Sequence, residues 1–144
     1  MKTLYGALLV ALIAMPMYAS AKDDLGCDSV NWGKEVLAKF PNAEKACHGV
    51  TMKNGAAYAH YVAEVIKVGK ESMTVHLIDR NGKAISEVEF VPPADQSVKS
   101  GGQASKFRDL DKGTTLDLYI EHNRWGLYSS PDSSPMEILS RKDL

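Results

Sequence analysis

The stretch from Tyr58 to Phe90 decides the fold. It reads YAHYVAEVIKV (58–68), GKES (69–72), MTVHLID (73–79), RNGK (80–83) and AISEVEF (84–90). Three runs rich in β-branched and apolar residues are separated by two short turns, which is the pattern of consecutive antiparallel strands. The stretch therefore predicts a three-stranded meander onto which the rest of the chain folds.

The two turns set the register of this meander. Asn81-Gly82 favours a type I′ hairpin, because both central residues of that turn need a positive φ. The Gly69–Ser72 turn, taken as a four-residue loop, pairs Val68 with Met73. Because alternate residues of a strand share a face, this register predicts one apolar face made of Val62, Ile66, Val68, Met73, Val75, Leu77, Val88 and Phe90. The other face mixes apolar with polar residues, so we expect a barrel interior on one side and a helix over part of the other.

Residues 1–21 resemble a cleaved secretory signal. Lys2 is followed by the apolar run Leu4–Met17 and by Ala19-Ser20-Ala21, a small-x-small cleavage site, which makes Lys22 the predicted mature N-terminus. The run is short for a membrane anchor. Leu25-Gly26-Cys27 loosely resembles a lipobox, but acidic residues precede it. The sequence thus predicts a periplasmic or secreted protein with no stable membrane anchor.

Length and charge narrow the class of protein. The chain has 144 residues and a formal net charge of −1, which predicts one domain over residues 22–144 and no nucleic-acid partner. Within that domain we expect a helical, disulfide-stapled segment at 27–47 and a β-barrel at 48–140.

Two cysteines, Cys27 and Cys47, predict one disulfide in an exported chain. The alternative, a redox or metal pair, lacks the Cys-x-x-Cys spacing. Between the cysteines, Trp32, Val36 and Phe40 follow helical spacing and predict a short amphipathic helix whose apolar stripe packs against the sheet.

Further turn signals predict the remaining strands. Asn54-Gly55 is a second type I′ dipeptide, and Thr114–Ile120 is a clear strand pattern. The fold class predicted is mainly β with a short N-terminal α-helix, in a small antiparallel barrel of five to seven strands. The Leu110-x-x-Gly113 corner before a late strand resembles small exported bacterial barrels of the OB-like and SH3-like kind. That resemblance implies a binding or structural role and fixes no ligand.

The predicted binding residues cluster at one turn: His122, Arg124, Trp125 and Tyr128. Aromatic and arginine side chains are typical of interaction hot spots. The alternative is that Trp125 plugs one end of the barrel as part of the core. The partner expected for such a surface is an unidentified envelope protein or a small ligand.

The histidines are the candidate catalytic residues. The predicted register places His76 opposite Glu87, which is either a surface pair or a histidine oriented by a carboxylate for general-base catalysis. His48 and His60 fall on opposite faces of their predicted hairpin, which argues against a shared zinc site. No nucleophile motif or phosphate loop is present. The sequence therefore predicts a non-catalytic binding module without metal or cofactor, with a small hydrolase-like enzyme using His76 and Glu87 as the alternative.

Overall fold

The structure is a computed structural model, and it describes residues 26–144. The predicted signal peptide and the predicted mature N-terminus at Lys22 lie outside these residues. Two short helices precede the strands, α1 (Lys34–Lys39) and α2 (Ala43–Ala46). The strands are β1 (Cys47–Lys53), β2 (Ala56–Val68), β3 (Met73–Ile78), β4 (Ala84–Val91), β5 (Ser97–Ser100), β6 (Gln103–Lys106), β7 (Thr115–Glu121), β8 (Arg124–Tyr128) and β9 (Glu137–Asp143). Single 3₁₀ turns cover Cys27–Ser29 and Phe107–Asp109.

The strands form one nearly closed antiparallel sheet. Its order is β8-β7-β2-β3-β4-β9, with β1 also paired to β2, while β5 and β6 form a separate hairpin. The two ends of the order meet at a single bridge between Leu127 and Met136. The predicted small antiparallel barrel is thereby confirmed, with seven strands in its main sheet.

Strand β2 is long because it serves three neighbours. One edge pairs with β7 over residues 58–64. The other edge pairs first with β1 over 56–61 and then with β3 over 62–68. Strands β1 and β3 therefore meet end to end along β2, and residues at their junction share one region of the surface.

The predicted register is right for β3–β4 and wrong for half of β2. Val75 pairs with Val88, and Val68 pairs with Met73, as predicted. A β-bulge between Val65 and Lys67 then shifts the pairing by one residue, and such a shift reverses every side chain beyond it. Strand β2 consequently buries Ala57, Ala59, Tyr61, Ala63 and Val65, whereas Val62 and Ile66 are half-buried and Val68 is 38% exposed.

The two Asn-Gly turns differ. Asn54 and Gly55 both have positive φ (49° and 79°), which confirms the predicted type I′ geometry. At the other turn only Gly82 has a positive φ, 81°. The buried carboxylate of Asp79 accepts hydrogen bonds from the backbone N–H groups of Asn81 and Lys83, both at 2.9 Å. This side chain organises the turn around itself, so the predicted two-residue loop is wrong.

The segment between the cysteines closes the inner side of the sheet. The predicted disulfide joins Cys27 to Cys47 with a Cα–Cα distance of 5.9 Å. The predicted short N-terminal helix is divided: α1 has six residues, and the four-residue α2 lies where Asn42 predicts a second short helical turn. Phe40 between them is fully buried, with its ring centroid 5.7 Å from that of Tyr61, and the Tyr61 hydroxyl donates to the Ala43 carbonyl at 2.7 Å.

Residues 26–144 contain no helix long and apolar enough to cross a membrane.

Candidate functional site: a histidine cleft beside the disulfide

A bulge in β1 brings two histidines together. The pairing of β1 with β2 shifts between Cys47 and Gly49, and the extra residue turns His48 toward the outer face of the sheet. There the His48 and His60 ring centroids are 6.0 Å apart. The prediction that these histidines lie on opposite faces is therefore wrong. The one sequence signal for the bulge was Gly49, because a glycine inside a strand pattern often marks one.

Each of these two imidazoles is fixed through one nitrogen. His48 Nε2 lies 2.6 Å from the carbonyl oxygen of Ile78, and because a carbonyl only accepts, Nε2 carries the proton and donates. His60 Nε2 lies 2.6 Å from Asp117 Oδ1 and donates to that carboxylate in the same way. Within residues 26–144 the Nδ1 atoms of both rings make no hydrogen bond.

A tyrosine completes the floor of the site. Tyr119 of β7 pairs with His60 of β2, and the ring centroids are 5.4 Å apart. Burial raises the pKa of the Tyr119 phenol, and the negative charge of Asp117 raises it further. Tyr119 is therefore a neutral hydroxyl at physiological pH, able to donate or accept a hydrogen bond.

The surrounding surface is concave and polar. We call it the histidine cleft, a depression of about 420 Å³ lined by His48, Thr51, His60, Arg80, Tyr119 and the backbone of the disulfide wall at Gly26 and Cys27. Arg80 lies two residues beyond the end of β3, and it reaches the cleft because β3 ends where β1 leaves β2. Its side chain is exposed and takes part in none of the ion pairs formed within residues 26–144. Among the described residues, the cleft thus presents one arginine outside any ion pair, two oriented imidazoles and two hydroxyl groups.

The residues of the predicted binding turn do not form one patch. The backbone N–H of Ala57 donates to His122 Nδ1 at 3.1 Å, so His122 anchors backbone. The Trp125 ring centroid is 6.0 Å from that of Phe40, while Arg124 is exposed at the start of β8.

Tyr128, the fourth member of the predicted set, lies on the outer face. Its hydroxyl is 3.4 Å from Glu121 Oε2, and its ring meets that of Tyr58 edge-on at 5.5 Å. Only 4% of the residue is exposed. Burial raises its pKa, and the charge of Glu121 raises it further. Of the four predicted residues, Trp125 lines a second cleft of about 410 Å³, with Lys39, Met136 and Ile138, and a binding role for the set stays a prediction.

The predicted pair of His76 and Glu87 is present on adjacent strands, with Nε2 and Oε2 3.2 Å apart. Their side chains are 25% and 33% exposed, and neither lines the histidine cleft. A half-exposed cross-strand pair of this kind contributes roughly 0.2–1 kcal/mol to stability. Its predicted catalytic role stays untested. Within residues 26–144 there is also no group of three or more histidine, cysteine or acidic side chains placed to hold a metal ion.

Comparison with known proteins adds no functional assignment to this geometry. No protein-family model matches the chain, and no curated protein or solved structure is significantly similar to it.

Proposed function

We propose that this protein is an exported, non-catalytic binding module and that its ligand occupies the histidine cleft. The observation that carries the proposal is that polar side chains from several strands meet at one place. Side chains from β1, β2, β7 and the β3–β4 turn meet in one depression, and hydrogen bonds to protein groups fix both imidazoles while sparing one nitrogen of each. Preorganised polar groups in a concave surface are what small-molecule sites use to orient a ligand.

Export is supported by two independent features. Residues 1–21 have the charge, apolar run and small residues of a secretory signal. The Cys27–Cys47 disulfide uses both cysteines of the chain, and such bonds persist in oxidising compartments. The proposed location is therefore the periplasm or the exterior of the cell.

The chemistry of the cleft favours a ligand with an anionic group. Arg80 carries a positive charge and forms no ion pair with a carboxylate of residues 26–144. Thr51 and Tyr119 add hydroxyl donors. No carboxylate residue of the described chain lines the cleft, and Asp117 beside it is engaged by His60. A carboxylate, sulfate or phosphate group matches this arrangement.

A titration of the oxidised protein tests the proposal. Inorganic phosphate, sulfate and acetate are added separately, and ¹⁵N-detected spectra follow the backbone and imidazole signals. We expect saturable shifts confined to the histidine cleft for at least one anion. Arg80→Gln should weaken that binding about tenfold, since a charge-assisted hydrogen bond is lost. Arg124→Gln is the matched control, because Arg124 is equally exposed and lies outside the cleft. Unsaturable shifts, or equal losses in both variants, would contradict the proposal.

One observation favours a second candidate, a small hydrolase. The 2.6 Å bond between His60 and Asp117 orients an imidazole as a general base requires, which would move the base from His76 to His60. Hydrolysis of 4-nitrophenyl acetate that is lost in His60→Ala and retained in His76→Ala would support this candidate. Equal rates in both variants and in the unaltered protein would exclude His60 as the base.

A further inference from the structure

A third depression lies at one open end of the barrel. We call it the mouth pocket: about 290 Å³, lined by Val68, Met73, Val91, Pro92 and Phe107, with Lys70, Glu71 and Arg108 at its rim. Val68 is eight residues from His60 along β2, a distance of about 26 Å at 3.3 Å per residue. The mouth pocket and the histidine cleft are therefore separate sites.

The pocket exists because strand pairing stops there. Pro92 and Pro93 follow β4 directly, and proline has no N–H to continue a ladder. The turn at Phe107–Asp109 covers the opening only partly, with the Phe107 ring meeting that of Phe90 edge-on at 5.8 Å. Met73 and Phe107 form a floor that is 1–2% exposed. The result is an apolar recess that opens to solvent.

Apolar side chains at the entrance are left uncovered. Val68 is 38% exposed, although it is a β-branched residue on the barrel's longest strand. The lining is mostly apolar, as in sites that take the hydrocarbon part of a ligand.

The rim carries the signal for a charged head group. Lys70 and Arg108 approach the opening from two different turns, and both are exposed. Neither takes part in the ion pairs formed within residues 26–144, and Glu71, the one acid at the rim, does not either. Two cations against one carboxylate leave a net positive rim above an apolar floor.

We infer that the mouth pocket binds a small amphipathic carboxylate, with its hydrocarbon part on Met73 and Phe107 and its carboxylate between Lys70 and Arg108. The volume corresponds to roughly ten water-sized groups, about the number of non-hydrogen atoms in octanoate. A long-chain fatty acid exceeds that space, and a carboxylate without a hydrocarbon part would leave the exposed apolar entrance at Val68 in water.

The experiment compares three probes on the oxidised protein by isothermal titration calorimetry and ¹⁵N-detected spectra. Octanoate should bind with a roughly millimolar Kd and shift the signals of the mouth pocket. Octanamide, the uncharged match, should bind at least fivefold more weakly, and acetate should leave those signals unchanged. Equal affinity for octanoate and octanamide would show that Lys70 and Arg108 do not contribute to binding. If acetate shifted the mouth-pocket signals as much as octanoate does, the apolar lining would not contribute.

Charge variants at the rim should change the octanoate affinity in opposite directions. Arg108→Gln and Lys70→Gln should each weaken octanoate binding several-fold, whereas Glu71→Gln should strengthen it, because it removes the only negative charge of the rim. Lys112→Gln is the matched control, exposed and outside the lining. If Arg108→Gln and Glu71→Gln change the affinity in the same direction, the proposed head-group contact is wrong.

A filling variant tests the location. Val68→Trp places a large side chain in the entrance at a partly exposed position, where the fold tolerates it, as circular dichroism will verify. The octanoate-induced shifts of the mouth-pocket signals should be lost in Val68→Trp and unchanged in Arg80→Gln, because Arg80 lines the histidine cleft and not the mouth pocket. Mouth-pocket shifts that survive Val68→Trp and fall in Arg80→Gln would overturn this inference.

Discussion

Removal of the disulfide should destabilise the barrel without dismantling it. Cys27 and Cys47 are 20 residues apart in sequence, and their bond ties the wall of the histidine cleft to the first residue of β1. The sheet itself is paired only from Cys47 onward. The double variant Cys27→Ser, Cys47→Ser therefore removes a constraint on the unfolded chain and leaves the strand pairing intact.

The size of the effect follows from loop closure. For a loop of 20 residues, the chain-entropy relation gives an entropy of about 11 cal/mol/K, or about 3.3 kcal/mol at 298 K. For a domain of this length, 1 kcal/mol corresponds to a Tm change of about 3–5 °C. We therefore expect Tm to fall by about 10–15 °C.

Far-UV circular dichroism, recorded before and during heating, measures both parts of this prediction. The variant should show the strand signal of the oxidised protein when cold and then unfold earlier. The unaltered protein treated with a reductant provides the control, since it should unfold with the variant. An unchanged Tm would refute the loop-closure argument, and a strand signal already lost in the cold would refute the independence of the sheet from the disulfide.

Three further predictions concern single residues. Gly33→Ala should lower the free energy of unfolding by roughly 1–3 kcal/mol, because the added Cβ would lie 2.9 Å from the backbone of the β7–β8 turn. Urea unfolding measures this loss. An unchanged unfolding midpoint would contradict the close contact at Gly33. Trp125→Ala should cost about 2 kcal/mol because its ring packs on Phe40, whereas Arg124→Ala, on the exposed side, should change stability by less than about 0.5 kcal/mol. Asp79 has its pKa lowered, chiefly by the Lys83 N–H and further by the Asn81 N–H, so it stabilises the fold above its ordinary pKa and this contribution is lost as pH falls through the lowered value. Asp79→Asn should accordingly flatten the acid limb of a stability-against-pH curve, and an identical limb would show that other carboxylates govern it.

Turn chemistry and alternation predicted most of the sheet, and bulges account for the errors. The pairing of Val75 with Val88 follows from patterns within a few residues of each turn. The positions of the bulges next to Ile66 and His48 cannot be read from such patterns, because one extra residue in a strand alters neither composition nor turn signals, and Gly49 is the one signal for the second bulge. A single uncounted residue reversed the predicted faces of half of β2.

The candidate site was missed for the same reason and for one more. His48 joins His60 only through the β1 bulge. Arg80 joins them only because β1 and β3 occupy successive parts of one edge of β2, and that arrangement is tertiary. The predicted aromatic turn was correctly located on β8, but alternation along a strand sends Trp125 inward and Tyr128 outward. Spacing in a sequence therefore indicated where aromatic residues gather without indicating which side of the sheet each one serves.

The closure of the barrel has a consequence for how it opens. Strands β8 and β9 meet through one backbone bridge, in which the N–H of Met136 donates to the Leu127 carbonyl at 2.6 Å. Every other neighbouring pair of the main sheet shares a longer ladder. Local opening takes place where the fewest contacts must be broken, so the barrel should open first at this bridge. In native-state hydrogen–deuterium exchange the Met136 amide should take up deuterium well before the amides of β2, and the C-terminal strand should leave the β8 edge while the remaining sheet stays folded.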